Sequence, residues 1–361
     1  MSDSSPSGLR PEANPLDSAA CRWQKTMAWK ILITARTVHD VGQQAQQILK
    51  SAGCELVVPP KLGPLKADEL RKAIAGLDAA LVSPDDYSPA VLTSPELANV
   101  KIISRWGVGY DSIHIPTATQ QGIVIAYTPG FLDETVADYT FALLLGIARR
   151  IHEGHQVMRA GEWRCTWGHD VFNKTLGIVG LGRIGAAVAK RASGFNMRLL
   201  AYDPFPRPEL EQKLGVKFVS LDELLAQSDF VTLHAALTPE NKGLIGEAQL
   251  RKMKPDSYLI NAGRGALLDE AALLRALTEG WIAGAALDTF AVEPMAVDHP
   301  FRKAPNILLC PHQASFARET GQRVTNAAAQ SIVDLMHGKK PPLVVNPDVF
   351  NNPAVLRAKL A

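Results

Sequence analysis

Thr175-Leu-Gly-Ile-Val-Gly-Leu-Gly-Arg-Ile-Gly185 is the stretch on which the fold turns. A short β-branched run leads into Gly180-x-Gly182-x-x-Gly185, and helical sequence follows. Each glycine has a task in such a turn. Gly180 permits the tight bend, Gly182 lets backbone approach a pyrophosphate, and Gly185 allows close helix–strand packing. The helix that follows presents free N–H groups and a positive dipole end to an anion. Asp203 closes the next apolar run, Leu199-Leu-Ala-Tyr-Asp, about 20 residues on, where a ribose-binding carboxylate belongs. A carboxylate there repels a 2′-phosphate, which favours NAD over NADP; Arg207, close behind it, works against that preference. The competing reading is a plain glycine-rich turn followed by a surface Asp. The strand before and the helix after argue against it.

Outward from this motif, short apolar runs alternate with helical patterns. Downstream, strands are expected near Thr175–Val179, Arg198–Tyr202, Val216–Val219, Phe230–His234, Tyr258–Asn261, Gly284–Leu287 and Ile307–Leu309, with a last helix over about Ala317–His337. Upstream lies a first series: strands at Lys30–Thr34, Glu55–Val58, Ala79–Val82, Lys101–Ser104 and Ile123–Ala126, and a helix over Val38–Ala52 that stops at Gly53. Such alternation predicts two parallel sheets, each covered by helices on both faces. Between the two series a helix is expected from about Asp133 to Ile151. Its middle is apolar on nearly every side, so it is buried, either in its own core or against a second subunit.

The chain's 361 residues exceed what one hydrophobic core usually holds, so two domains are expected. With 47% hydrophobic and 20% charged residues it reads as soluble and globular. A net charge of +2, without a basic run, argues against nucleic acid as a partner. No apolar stretch is long enough to span a bilayer, so no membrane partner is expected. Cys21, Cys54, Cys165 and Cys310 form no CxxC motif and are read as reduced thiols of a cytoplasmic protein. His152 and His155 flank Glu153-Gly154 without metal-site spacing, so no metal is expected. Residues 1–26 read as a disordered extension, with Met27 as an alternative start directly before the first strand; residues 347–361, rich in proline at their start, read as an irregular tail.

Three polar residues follow strand ends in the second series. They are Arg264 in Asn261-Ala-Gly-Arg-Gly, Glu293 in Asp288-Thr-Phe-Ala-Val-Glu-Pro, and His312 in Cys310-Pro-His-Gln. Ligands of open α/β sheets bind beyond the carboxyl ends of strands. Oxidising a hydroxy acid removes a hydroxyl proton as hydride leaves C2. A histidine suits that proton transfer, a carboxylate orients the imidazole, and an arginine grips a substrate carboxylate. Taken singly, each has a duller reading: a surface ion pair, a turn residue, a structural histidine. Together, beside a nucleotide fingerprint, they point to an enzyme.

At this point the motifs carry a resemblance. Ser104-Arg-Trp-Gly-Val-Gly-Tyr-Asp, Gly177-Ile-Val-Gly-Leu-Gly-Arg-Ile-Gly, Met253-Lys-Pro, Asn261-Ala-Gly-Arg-Gly, Ala285-Ala-Leu-Asp and Pro311-His resemble the D-isomer-specific 2-hydroxyacid dehydrogenases, and most of all their short, phosphoglycerate-dehydrogenase-like branch. The likeness runs from Trp29 to Asn346. It implies two Rossmann-like, doubly wound domains. A flavodoxin-like substrate domain would use residues 27–127 and 314–346, an NAD-binding domain would be inserted at 128–313, and the active site would lie in the cleft between them. It implies His312 as acid/base, Glu293 as its partner and Arg264 as substrate anchor. Val108 and Gly109 would offer N–H groups to the substrate carboxylate, and Arg183 and Ile184 to the pyrophosphate. Asp288 would hold the nicotinamide carboxamide, and His234, Thr238, Ala262 and Gly263 would complete the cofactor's surroundings. The family also implies a homodimer built largely on the helix near Asp133–Ile151.

The departures from the family pattern are Ser112 for the usual Asn, Ala236 for a common Pro, Leu132-Asp133 for small polar residues near the cofactor, and Gln313 for an apolar residue. Ser83-Pro-Asp-Asp-Tyr stands where phosphoglycerate dehydrogenases often carry Arg-Ser; two acids there repel a phosphate. Glu293 argues against a formate dehydrogenase, whose pattern usually has Gln. Candidate substrates are 3-phosphoglycerate, glycerate or hydroxypyruvate, and glyoxylate-like acids. The competing function is an NADH-responsive, corepressor-like binding protein; a third is another oxidation of the superfamily, such as that of phosphite.

Overall fold

The computed structural model describes residues 28–352 and 355–356. The expected N-terminal extension and Cys21 lie outside the described residues. Two compact units form. One runs up to Pro129 and resumes at Gly321; the other is the continuous segment Gly130–Thr320.

The first unit is built on five parallel strands, β1 (Lys30–Ile33), β2 (Glu55–Val57), β3 (Ala79–Val82), β4 (Ile102–Arg105) and β5 (Val124–Ala126), in the order β2-β1-β3-β4-β5. This is the flavodoxin-like order. The central strands are apolar throughout because both faces are covered: β3 is fully buried and packs with Leu70, Ile74, Val91, Leu92 and Leu97 of the crossover segments. The late helix Arg318–Met336 is tied to β4 and the residue after it. The Ser104 hydroxyl donates to the Ala328 carbonyl (2.8 Å) and the Trp106 indole to Thr325 Oγ1 (3.1 Å). Beyond it, Val344 bridges antiparallel to Ala126, and buried Asn346 accepts from the Ile125 amide (2.8 Å).

Two expectations for this unit change. The helix over Val38–Ala52 is two, Thr37–Asp40 and Gln43–Ser51, broken at Gly42, where a Cβ would lie 2.6 Å from Val38 Cα. The segment after Asn346 is not wholly irregular: Pro347–Asn351 makes a 3-10 turn that buries Val349.

The second unit holds seven parallel strands: β6 (Thr175–Val179), β7 (Arg198–Tyr202), β8 (Val216–Phe218), β9 (Phe230–Leu233), β10 (Tyr258–Asn261), β11 (Gly284–Leu287) and β12 (Ile307–Leu309). Their order, β12-β11-β10-β9-β6-β7-β8, reverses direction at β6/β9. That is the Rossmann arrangement with one added strand, and its ligand crevice opens at the reversal.

The central helix ends earlier than expected. Asp133–Ala148 closes before Arg150, which is left-handed (φ +52°), and a separate helix follows at Ile151–Arg159. The apolar girdle of Asp133–Ala148 is accounted for inside its own unit, where it packs against the Arg183–Ala192 helix, β10, β11 and β12.

Candidate active site

The C-terminal ends of five neighbouring strands in the second unit carry the predicted residues. Gly180 follows β6, His234 follows β9, Arg264 lies beyond β10, Glu293 beyond β11 and His312 beyond β12.

At β6 the chain turns sharply through Gly180 (φ +91°), where a Cβ would stand 2.5 Å from the Ala235 amide nitrogen. Gly182 precedes the Arg183–Ala192 helix and supplies no side-chain cap, and a Cβ built on it meets nothing within 4 Å. Gly185 packs so closely that its Cβ would lie 2.2 Å from the Gly180 carbonyl oxygen. The first turn thus has no side-chain cap and no atom crowds Gly182, so an anion can approach this helix start. Asp203 also braces this loop. Its carboxylate accepts from the Leu181 amide (2.9 Å) and the Phe205 amide (2.9 Å), while Arg207 donates to the Leu181 carbonyl (2.6 Å).

Beside Gly180 sits His234. Both its ring nitrogens are buried without a partner among the described residues, and burial pushes its pKa down to about 4, so the ring is neutral. Thr238 is exposed and its amide donates to Asn241 Oδ1 (2.8 Å). Ala262 and Gly263 form the turn after β10. Asn261, fully buried, clips that turn: its Oδ1 accepts from the Gly263 amide (3.0 Å) and its Nδ2 donates to the Arg264 carbonyl (3.0 Å).

His312 and Glu293 meet at 2.6 Å, Nδ1 to Oε2. The other Glu293 oxygen accepts from the Phe290 amide (2.9 Å). Burial would raise the Glu293 pKa, but the His312 bond and charge, with help from the Phe290 amide and the nearby Arg264, hold it below the usual carboxylate value. Arg264 Nη1 also donates to the Gly263 carbonyl (2.9 Å). The imidazole Nδ1 is thus committed to Glu293, which leaves Nε2 available to another partner.

His312 is itself held left-handed (φ +54°), a conformation a non-glycine residue keeps only when its surroundings impose it. Asp288 imposes it. Its carbonyl accepts from the His312 amide (2.7 Å), and its two carboxylate oxygens accept from the Gln313 (2.9 Å) and Ala314 (2.8 Å) amides. Each oxygen keeps further lone-pair capacity, so this brace is compatible with a contact to a cofactor amide. Burial raises the Asp288 pKa, against those two amide bonds. Gln313 in turn donates to the Tyr139 hydroxyl (2.7 Å).

In the first unit, Thr128 secures Gly107 (φ +113°) through the Gly107 amide (2.9 Å) and carbonyl (3.0 Å). Among the described residues nothing accepts from the Val108 or Gly109 amides that follow. The acid pair of Ser83-Pro-Asp-Asp divides. Asp85 is fully buried, accepting from the Thr34 hydroxyl and the Leu65 amide, and burial raises its pKa to about 6 against those bonds and Arg105. Asp86 accepts from the Ser88 amide (3.0 Å). Asp85 is therefore a brace inside the fold rather than an acid facing a ligand.

A family model for the NAD-binding domain of D-isomer-specific 2-hydroxyacid dehydrogenases matches residues 141–314. A glyoxylate reductase of Korarchaeum cryptofilum is 46% identical over 277 residues, covering 73% of this chain and 83% of that relative. The chain belongs to the D-isomer-specific 2-hydroxyacid dehydrogenase family. Among solved structures, a glyoxylate reductase from Paecilomyes thermophila is 32% identical with a TM-score of 0.75, over 89% of this chain and 99% of that one. The D-lactate dehydrogenase with NAD+ from Lactobacillus jensenii is 28% identical with a TM-score of 0.68, over 88% and 99%. This dehydrogenase is an NAD-dependent oxidoreductase of 2-hydroxy acids. The uncapped helix start at open Gly182 and the His234 ring, whose buried nitrogens have no partner among the described residues, fit a dinucleotide. Two residues that sequence reasoning passed over or assigned otherwise, Asn261 and Asp288, position the Arg264 and His312 turns. Their one signal was a polar residue at, or just after, the end of a buried strand.

Proposed function

We propose that the chain reduces small, unphosphorylated 2-oxo acids, glyoxylate foremost, to D-2-hydroxy acids with NADH. The observation that carries this reading is the 2.6 Å His312–Glu293 pair at the same sheet edge as the Gly180–Gly185 turn. When bound, NADH would supply the hydride that C2 of the substrate accepts. His312 Nε2 delivers the proton to the C2 oxygen, and Glu293 stabilises the imidazolium before transfer. Arg264 pairs with the substrate carboxylate and polarises the carbonyl. Val108 and Gly109 offer N–H groups to that carboxylate, their amides having no partner among the described residues. A bound cofactor would be held by Gly180, Gly182, Gly185 and the backbone N–H groups of Arg183 and Ile184, with Asp203 toward the ribose, Asp288 toward the carboxamide, and His234, Thr238, Ala262 and Gly263 around it. The substrate domain takes both ends of the chain and the cofactor domain is the inserted middle. Glyoxylate is favoured because relatives 46% and 43% identical carry the name glyoxylate reductase, and because the Ser83–Tyr87 segment brings no cation for a phosphate.

The active form is a cytoplasmic homodimer. Support comes from a run of exposed apolar side chains on the Ile151–Arg159 helix and the extended segment after it: Ile151, Met158, Trp163 (87% exposed), Trp167 (93%) and Phe172. The family resemblance places the helix near Asp133–Ile151 in that interface, and the exposed apolar side chains of 151–172 would extend it. Cys54, Cys165 and Cys310 as free thiols agree with a reducing compartment.

The test is NADH oxidation against glyoxylate, hydroxypyruvate, pyruvate and 3-phosphohydroxypyruvate. Turnover with the small acids, lowered about 10²–10⁴-fold in His312→Asn, is expected. Preference for the phosphorylated acid would reverse the substrate assignment. Silence across the panel with NADH bound would end the enzymatic reading of these residues.

A further inference from the structure

Arg183 follows the second fingerprint glycine, and its side chain is already engaged. Its Nε donates to Asp133 Oδ2 at 2.9 Å. Asp133 opens the Asp133–Ala148 helix, and its carboxylate is only 15% exposed, while the Arg183 side chain is 67% exposed. The guanidinium lies against Gly130 (φ +86°), where a Cβ would stand 2.5 Å from Nη2. Gly130 thus leaves the room that the pairing needs.

The pair is not what joins the two helices. Further along, Arg191 binds Glu134 (2.6 Å), Asp138 (2.6 Å) and the Glu134 carbonyl (3.0 Å), and it already fixes the Arg183–Ala192 helix to its neighbour. Asp133 therefore spends its charge on a guanidinium that starts beside the uncapped amides of the fingerprint. In the sequence it occupies a position where small polar residues were expected.

We propose that Asp133 sets dinucleotide affinity by holding the Arg183 guanidinium off the pyrophosphate. The inference rests on the cofactor reading of the Gly180–Gly185 turn. The bound anion then meets backbone amides and a neutralised ion pair in place of a free cation, so the cofactor is held less tightly and leaves faster. Release, and not chemistry, limits turnover in many enzymes.

The experiment is equilibrium binding of NADH to the full chain, followed by its fluorescence, at several salt concentrations. Asp133→Asn should tighten binding about two- to fivefold at low salt, the range of an exposed ion pair. It should also steepen the salt dependence. Asp133→Glu should restore wild-type affinity. Arg183→Ala keeps the backbone N–H that the cofactor reading uses and should cancel the gain in Asp133→Asn. A gain that survives Arg183→Ala, or unchanged or weaker binding by folded Asp133→Asn, overturns the proposal. If Asp133→Asn does not fold, Arg183→Ala alone decides: a loss beyond about fivefold means Arg183 already grips the pyrophosphate, and the proposal fails. Wild-type protein that binds no NADH overturns the cofactor reading and this inference with it, whereas normal wild-type binding with a null cycle overturns the inference alone.

Discussion

Gly265→Ala should separate Arg264 from Glu293 without touching a reacting group. A Cβ at residue 265 would lie 1.9 Å from the Phe290 carbonyl carbon, 2.3 Å from its oxygen and 2.4 Å from the Ala291 nitrogen. Ordinary carbon contacts are about 3.5 Å, so the two loops must part by about 1.5 Å. All three obstructing atoms are backbone, and no rotamer change relieves them. The loop that retreats carries the Phe290 amide that positions Glu293, and the loop it leaves carries Arg264. A 1 Å misplacement of catalytic groups costs about 10²-fold, so kcat/KM for glyoxylate should fall at least about 10²-fold. Overpacking of this kind costs about 1–3 kcal/mol, and each kcal/mol lowers Tm by about 2–4 °C in a domain of this size. Steady-state kinetics with thermal melting reads both effects. Gly194→Ala, where a Cβ meets nothing within 4 Å, is the matched control and should behave as wild type. A Gly265→Ala enzyme with kcat/KM within about twofold of wild type would refute the argument that close apposition of these loops sets the site.

Other substitutions probe the remaining contacts. Glu293→Gln keeps the shape but removes the charge beside His312, so kcat/KM should fall about 10²-fold while the NADH dissociation constant measured by fluorescence stays within about twofold. Asp288→Asn turns one acceptor toward Gln313 or Ala314 into a donor; urea unfolding should show a loss of about 1–3 kcal/mol, and an unchanged midpoint would mean the turn does not depend on that carboxylate. His234 has its folded pKa near 4, below the ordinary 6.5, so the unfolded chain binds its proton first. Its contribution is fully present above pH 6.5 and is lost as pH falls toward 4, by about 3 kcal/mol in total. His234→Gln should flatten that slope, and parallel wild-type and variant stabilities across this window would count against a buried neutral ring.

The strands were legible because a parallel sheet covered on both faces makes each strand an uninterrupted apolar run between turn signals, as at β6 and β10. The helix breaks at Gly42 and Arg150 were not, since apolar spacing continues through a break made by backbone geometry. Arg264, Glu293 and His312 were readable as residue types after strands. Asp85 was misread because a carboxylate's loop position says nothing of whether a hydroxyl and an amide wait inside the fold. Asn261 and Asp288 act through backbone amides, whose partners leave no trace in residue identity. The apolar Asp133–Ala148 helix left core and interface open in the sequence, and its packing on the Arg183–Ala192 helix, β10, β11 and β12 was not legible there because those partners are distant in the chain.

The interrupted path of the first unit has a consequence for biosynthesis. Its five strands are translated first, yet β5 lacks the Val344–Asn346 segment and β4 lacks the Arg318–Met336 helix until the whole Gly130–Thr320 segment has left the ribosome. The inserted unit is contiguous and contains every strand it needs, so it matures ahead of the one begun before it. During that interval the helix-facing side of β4 and the outer edge of β5 stand uncovered, and this nascent stage, more than the finished molecule, is where chaperone engagement and mispairing concentrate.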